Sequence, residues 1–244
     1  MDCLNPQAPG ALKRSDAAFN QTGRRGGRRA GPSTPCAHLG NIQSMKTFLH
    51  VGCGPKHKVH TTPGFNTPDW KELRFDIDPG VQPDVLGTMT DMSAVPSGSV
   101  HAVFSSHNIE HLYPHEVPVA LQEFARVLSD DGFVVITCPD LQSVCELVAQ
   151  DKLTEAAYQS PAGPIAPIDI LYGHRPAMAR GNLFMAHRCG FTQKVLVATL
   201  QAAGFVGVVS RRRPGPRFDL WALASRQSLS EEQLRALAQA HFPN

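Results

Sequence analysis

From Thr47 onward the chain alternates short apolar runs with polar loops or helically spaced apolar positions. Runs at 47–51, 72–76, 84–86, 100–105 and 132–138 predict strands. Those at 100–105 and 132–138 are nearly continuous in apolar residues, as strands covered on both faces must be. Between them Val117, Val119, Ala120, Leu121, Phe124, Val127 and Leu128 recur at helical spacing, and Ser129-Asp130-Asp131-Gly132 predicts the turn back to the sheet. A second helix, about 191–203, carries Phe191, Val195, Leu196, Ala198, Thr199 and Leu200 and stops at Gly204. Phe205–Arg212 and Phe218–Ser225 then flank Arg213-Pro214-Gly215-Pro216-Arg217, an antiparallel hairpin rather than another strand–helix–strand unit. Ser228 to Ala240 reads as a capped amphipathic helix. This order predicts a doubly wound, mostly parallel α/β sheet with a C-terminal antiparallel hairpin.

Two segments stand apart. Residues 139–190 are the least regular, with prolines and glycines crowded between Pro161 and Gly173; such a segment inside a compact domain is expected to be a substrate-side lid or insertion. Residues 1–44 are rich in Gly, Pro, Ala, Arg and Gln without apolar periodicity and are expected to be a disordered basic extension, leaving 45–244 as the folded domain. Met45-Lys46 directly precedes the first strand, so Met45 is a candidate initiator.

Charge sharpens this division. The extension holds Lys13, Arg14, Arg24, Arg25, Arg28 and Arg29 against Asp2 and Asp16, so the remainder of the chain carries 17 basic and 19 acidic groups. A slightly acidic body argues against nucleic acid as an obligatory partner of the folded domain. The six cysteines show no metal-like or disulfide-like spacing, and no stretch is long and apolar enough for a membrane span or a signal peptide. A cytoplasmic protein is expected, its oligomeric state left open.

The chemistry concentrates where two strands end. Phe48-Leu49-His50-Val51 leads into Gly52-Cys53-Gly54, and about two dozen residues later Glu72-Leu73-Arg74-Phe75 leads into Asp76-Ile77-Asp78-Pro79. Glycines one residue apart clear side chains from a loop, and a carboxylate ending the neighbouring strand can accept both ribose hydroxyl protons of a nucleoside-bearing cofactor. A nicotinamide-dependent oxidoreductase is disfavoured, because its fingerprint needs glycine at 57, where His57 stands.

These motifs resemble those of the class I S-adenosylmethionine-dependent methyltransferases, especially the small type-11-like group. The resemblance covers about residues 46–140 and, more loosely, 186–225 through Gly190-Phe191-Thr192 and Gly204-Phe205. It implies a Rossmann-like seven-stranded sheet and S-adenosyl-L-methionine as cofactor. In the glycine motif Gly52 and Gly54 match, whereas His50 replaces the leading acid and Lys56 the third glycine; Pro55, Pro63, Gly64 and Pro68 imply that the usual first helix is shortened or replaced by a loop. Asp76, ahead of Asp78, matches the ribose-binding acid. Asp91-Met92 resembles the pair that contacts adenine, Asp91 accepting from the exocyclic amine and Met92 offering a backbone N–H. Ser105-Ser106-His107-Asn108-Ile109-Glu110-His111-Leu112 resembles the segment beneath the cofactor, His101 standing where an Asp is usual. The expected cofactor residues are thus His50, Gly52, Cys53, Gly54, Asp76, Ile77, Asp91, Met92, Ser106 and His107. A holder of the cofactor without turnover is the alternative.

Methyl transfer from a sulfonium needs alignment and exclusion of water, with a base only when the acceptor is a hydroxyl or ammonium. His107 and His111 are the candidate catalytic bases, with Glu110 as an internal partner for a backbone N–H or one of these rings. His174, Arg175 and His187 are the candidate acceptor-binding residues, Arg suiting carboxylate or phosphate. His107, His111 and His115 share helical spacing, but Pro114 interrupts them and no further ligand completes a set, so no metal is expected. Arg211, Arg212, Arg213 and Arg217 read as an exposed charged hairpin tip.

Overall fold

The computed structural model describes residues 45–243; the expected basic extension at 1–44 lies outside them. Fifteen elements follow in chain order: β1 (Lys46–Val51), β2 (Trp70–Asp76), β3 (Val85–Leu86), β4 (Val100–Ser106), α1 (Val117–Val127), β5 (Leu128–Pro139), α2 (Leu141–Val148), β6 (Tyr158–Ser160), β7 (Gly163–Ile165), α3 (Pro167–Tyr172), α4 (Arg175–Ala179), α5 (Gln193–Ala202), β8 (Gly207–Arg213), β9 (Asp219–Ser225) and α6 (Glu231–His241). Seven strands form one sheet in the order β3-β2-β1-β4-β5-β9-β8. β1 to β5 pair in parallel, and the β8–β9 hairpin closes the sheet antiparallel to β5.

Alternation along the strands splits the core between the two faces. Leu49, Val51, Val103, Val134 and Ile136 pack with Leu121 and Phe124 of α1 and with Leu196 and Leu200 of α5. Phe48, Ala102, Phe104, Phe133, Val135 and Leu223 pack with Phe65, Leu234, Leu237 and Phe242. As the prolines imply, no α-helix follows β1: residues 52–69 form turns around a 3-10 turn at Lys58–His60. The second face is therefore covered by Phe65, from these turns, together with the C-terminal helix α6. Phe65 stacks on Phe48 with centroids 4.4 Å apart, while the Gly64 amide donates to the Ala240 carbonyl (2.8 Å) and Thr62 Oγ1 bonds His241 Nδ1 (2.7 Å).

The predicted turn at Ser129–Gly132 is not where β5 begins. The strand starts at Leu128, which pairs with Val100, whereas Ala102 pairs with Phe133, so the intervening residues form a bulge. Arg226 stabilises it: its amide donates to the Gly132 carbonyl (3.2 Å) and its guanidinium to the Leu128 carbonyl (2.9 Å). Helix α5 is shorter than predicted because Thr192 caps it, its hydroxyl accepting from Val195 N–H. Residues 139–190 carry α2, the β6–β7 hairpin, α3 and α4, with Val144, Ile165 and Ile170 packed in a small core against Phe218 of the β8–β9 hairpin. Of the four hairpin arginines, Arg211 and Arg217 are exposed as expected, but three of the set are engaged. Arg212 pairs with Asp140 and Glu146, Arg213 with Asp219, and Arg211 lies over the Phe242 ring.

Burial among Phe65 and Phe133 pushes the His241 pKa down to about 4. A folded-state value below the ordinary 6.5 means that protons favour the unfolded chain, so stability is complete above about pH 6.5 and falls as pH drops towards 4. Relative to His241→Phe, the wild type should lose roughly 3 kcal/mol more across that window. Urea unfolding of both proteins at pH 7.5 and pH 4.5 checks this; parallel losses would refute it.

Candidate active site

The C-terminal ends of β1, β2 and β4 lie side by side, and the open space beside the loop after β1 is the candidate cofactor crevice. Gly52 and Gly54 both adopt left-handed backbone conformations, with φ of 59° and 52°, which side-chain-bearing residues rarely occupy. They nevertheless do different jobs. A Cβ on Gly52 would lie 2.0 Å from Asn108 Oδ1, whereas one on Gly54 would meet nothing within 4 Å. Gly52 makes room for Asn108, whose amide nitrogen donates to the carbonyls of Val51 (2.9 Å) and Ser106 (3.1 Å) and thereby ties the β1 loop to the β4 loop. Gly54 keeps the crevice itself bare.

Asp76 ends β2 against this loop. Its Oδ2 accepts from Gly54 N–H (2.7 Å) and its Oδ1 from Asp78 N–H (2.9 Å), which orients the carboxylate and leaves lone pairs on both oxygens for hydroxyl donors. A buried neighbour does the remaining fastening. Arg74 donates to the carbonyls of Gly54 (2.6 Å), Lys56 (3.2 Å), Val81 (3.1 Å) and Gln82 (2.7 Å), joining the glycine loop to the turn after β2. Sequence reading passed over Arg74 and Asn108. The available signal for Arg74 was a guanidinium between Leu73 and Phe75 in a strand next to the glycine loop, which must find acceptors once buried.

The other predicted residues fall into place unevenly. Ile77 follows Asp76 and is exposed. The Cys53 thiol is buried, which pushes its pKa up to about 11, so only its backbone lines the loop. His50 is buried beside Phe104, with Nδ1 2.6 Å from Glu72 Oε1, while Glu72 Oε2 accepts from Lys58 N–H (2.8 Å). Burial lowers the His50 pKa despite this carboxylate. Glu72 on the neighbouring strand thus holds the buried His50 ring and the Lys58 amide together, and the His50 ring supports the loop. Asp91 is exposed, its Oδ1 accepting from Ser93 N–H (3.1 Å), and it borders an open groove of about 430 Å³ with Thr90, Glu123 and Arg126. Met92 departs from expectation: its N–H donates to Glu123 Oε2 (2.8 Å), so it is not offered to an adenine ring. Ser106 Oγ bonds Thr137 Oγ1 (2.9 Å).

His107 holds a left-handed backbone (φ 55°) without being glycine, a strained arrangement of the kind found at functional sites. Its half-exposed ring has Nδ1 3.4 Å from Glu110 Oε1. Burial opposes the charged forms of both groups, but each partner favours the other's charge, raising the His107 pKa and lowering that of Glu110. His111 turns away, Nδ1 3.0 Å from the Ala186 carbonyl, and lies next to His187. Of the predicted acceptor residues, Arg175 is committed to Asp169 through two bonds (2.6 and 3.1 Å), and His187 bonds the Ile170 carbonyl (2.8 Å), its pKa lowered by burial. His174 precedes α4. Neither Arg175 nor His187 is brought to the glycine crevice as a free recognition group.

Residues 49–136 match the family model described as a methyltransferase domain. Solved structures with a similar fold include the Burkholderia thailandensis 1,6-didemethyltoxoflavin-N1-methyltransferase (15% identity, 77% of this chain and 73% of that one, TM-score 0.49). A Pyrococcus horikoshii OT3 protein is similar at 11% identity over 77% of this chain and 84% of that one, with a TM-score of 0.50. At such identities the likeness is one of fold. No curated protein matches this chain. The matched segment and the sheet define a methyltransferase domain on a Rossmann-like fold. Residues 49–136 carry a domain of the class I S-adenosylmethionine-dependent methyltransferase type. S-adenosylmethionine fits the residues present: the space at Gly54 is open, and an oriented carboxylate stands beside it.

The two glycines should fail differently. Gly54→Ala should cost only about 1 kcal/mol of stability, the cost of a left-handed alanine, yet abolish measurable cofactor binding. Gly52→Ala should primarily destabilise the fold by displacing Asn108. Thermal melts paired with S-adenosylhomocysteine titration separate the outcomes; similar melting temperatures for the two variants would contradict this division. Asp76→Ala should weaken S-adenosylhomocysteine binding by about 1.5–3 kcal/mol, the scale of charge-assisted hydrogen bonds. Unchanged affinity by calorimetry would remove Asp76 from the ribose site.

Proposed function

We propose that this methyltransferase acts on a small-molecule or glycan-linked acceptor, with Gly52, Gly54, Asp76, Ile77, Asp91 and Ser106 around the cofactor and His107 at the acceptor side. The observation that carries this reading is the contact between Gly54 N–H and the Asp76 carboxylate at the mouth of adjacent parallel strands. Support for a small acceptor comes from charge. The chain after residue 44 is slightly acidic, and Arg212 and Arg213 are already paired with carboxylates rather than free for a phosphate backbone. The thiols of Cys53 and Cys138 are buried and held protonated, which supports a reducing, cytoplasmic setting.

S-adenosylmethionine supplies a methyl group already activated on a positively charged sulfur. The protein's share is alignment. Asp76 would accept from the ribose hydroxyls, while Arg74 fixes the loop that Gly54 keeps bare and Asn108 sets the spacing between that loop and His107. With Nδ1 of His107 facing Glu110, Nε2 is the atom left to take a proton from a hydroxyl or ammonium acceptor.

Mass spectrometry of ligands retained through purification, followed by S-adenosylhomocysteine release assays on the retained compounds, tests the acceptor class. His107→Ala should lower kcat by about 100-fold or more, within the usual range for a positioned base, and leave S-adenosylhomocysteine affinity within about threefold, since its loss touches the acceptor side alone. Equal turnover by mutant and wild type would take His107 off the catalytic list.

A further inference from the structure

Next to the crevice, the structure buries a carboxylate without giving it a good partner. Glu110 is 1% exposed, and neither Oε1 nor Oε2 makes a hydrogen bond; His107 Nδ1, at 3.4 Å, is within ion-pair range but not in hydrogen-bond geometry. The Glu110 backbone carbonyl accepts from the amides of Arg188 (2.8 Å) and Cys189 (3.2 Å), which draws the segment around 187 against residues 109–111. One ligand-type atom from each of Glu110, His111 and His187 then lies within 4.8 Å of the others.

The proton arrangement makes this cluster unusual. His111 Nδ1 is 3.0 Å from the Ala186 carbonyl oxygen, and His187 Nδ1 is 2.8 Å from that of Ile170. A carbonyl can only accept, so in both rings Nδ1 carries the hydrogen, and the neutral imidazole leaves Nε2 as a bare lone pair. The three clustered residues thus offer a carboxylate and two ring lone pairs, all of them acceptors. A cavity of about 20 Å³, lined in part by Glu110 and His187, has room for one water-sized particle. The Cys189 thiol, which also borders it, donates to the Ile109 carbonyl (3.4 Å).

We infer that Glu110, His111 and His187 bind one divalent first-row transition ion of the Zn²⁺ type. Two imidazoles and a carboxylate suit zinc, cobalt or iron, whereas Mg²⁺ and Ca²⁺ favour all-oxygen cages. Backbone carbonyls on the far ring nitrogens are the outer partners that aim histidine ligands at a metal. Ligands about 2.0–2.2 Å from zinc stand roughly 3–4 Å apart, so the side chains need to close by only about an ångström. Three protein ligands leave a position open for an oxygen. Sequence spacing could not show this set, because it tested His107, His111 and His115, while the third ligand arrives from another loop.

The test is titration of the chelator-treated full chain with Co²⁺, with no cofactor present and no turnover read. One equivalent should bind with visible absorption bands of a nitrogen- and carboxylate-ligated ion, and Zn²⁺ should displace it. Glu110→Gln and His187→Gln should each weaken Co²⁺ binding at least tenfold, and His115→Ala, on the same segment, should not. No stoichiometric binding by the wild type, or undiminished binding by both folded variants, overturns the site. If a variant does not fold, ¹⁵N-histidine spectra of the wild type decide: two Nε2 resonances shift on Zn²⁺ addition if the site exists, and none if it does not.

Discussion

Arg74 is the constraint around which this crevice is arranged. Its guanidinium is nearly sealed from water and spends its donors on four backbone carbonyls, two in the glycine loop and two in the turn after β2. A loop that enters a helix has its amides and carbonyls ordered by helical bonding. Here prolines replace that helix, so its carbonyls need an outside donor. Glu72 supplies the complementary acceptor, taking Lys58 N–H and the His50 ring. An arginine and a glutamate on β2 thus do in tertiary contacts what a first helix would do locally.

The same absence redistributes the core. One face of the sheet keeps α1 and α5, both visible in the apolar spacing of Phe124, Leu196 and Leu200. The other recruits Phe65 from the loop and the far C-terminal helix, with Phe242 and Leu237 filling the space against Phe48 and Phe104. His241 is carried into that apolar layer because its Nδ1 meets Thr62 and its backbone neighbour Ala240 meets Gly64.

What was legible in the sequence was what depends on local pattern. Strand runs, the hairpin after Gly204, the paired glycines and the carboxylate at 76 are short-range features, and the mostly parallel sheet, its closing hairpin and the Gly54–Asp76 contact are built from them. What was not legible depends on partners far along the chain. Ser129–Gly132 has turn composition, yet Arg226 draws it into strand pairing. Arg175 has the chemistry to bind an anion, yet Asp169 claims it. Met92 fits the adenine contact by position, yet Glu123 takes its amide. The buried carboxylate at 110 could be named as somebody's partner, but the ring of His187 could be found only in three dimensions.

The closure of one sheet face by the last helix also bears on biosynthesis. A chain made from its N-terminus exposes Phe48, Phe65 and Phe104 long before Leu237 and Phe242 exist to cover them. The glycine loop and the turns behind it therefore wait, aromatic and unshielded, until α6 has emerged. A nascent chain of this architecture carries that aromatic surface unshielded until α6 can fold back over it, the kind of transient exposure that favours aggregation.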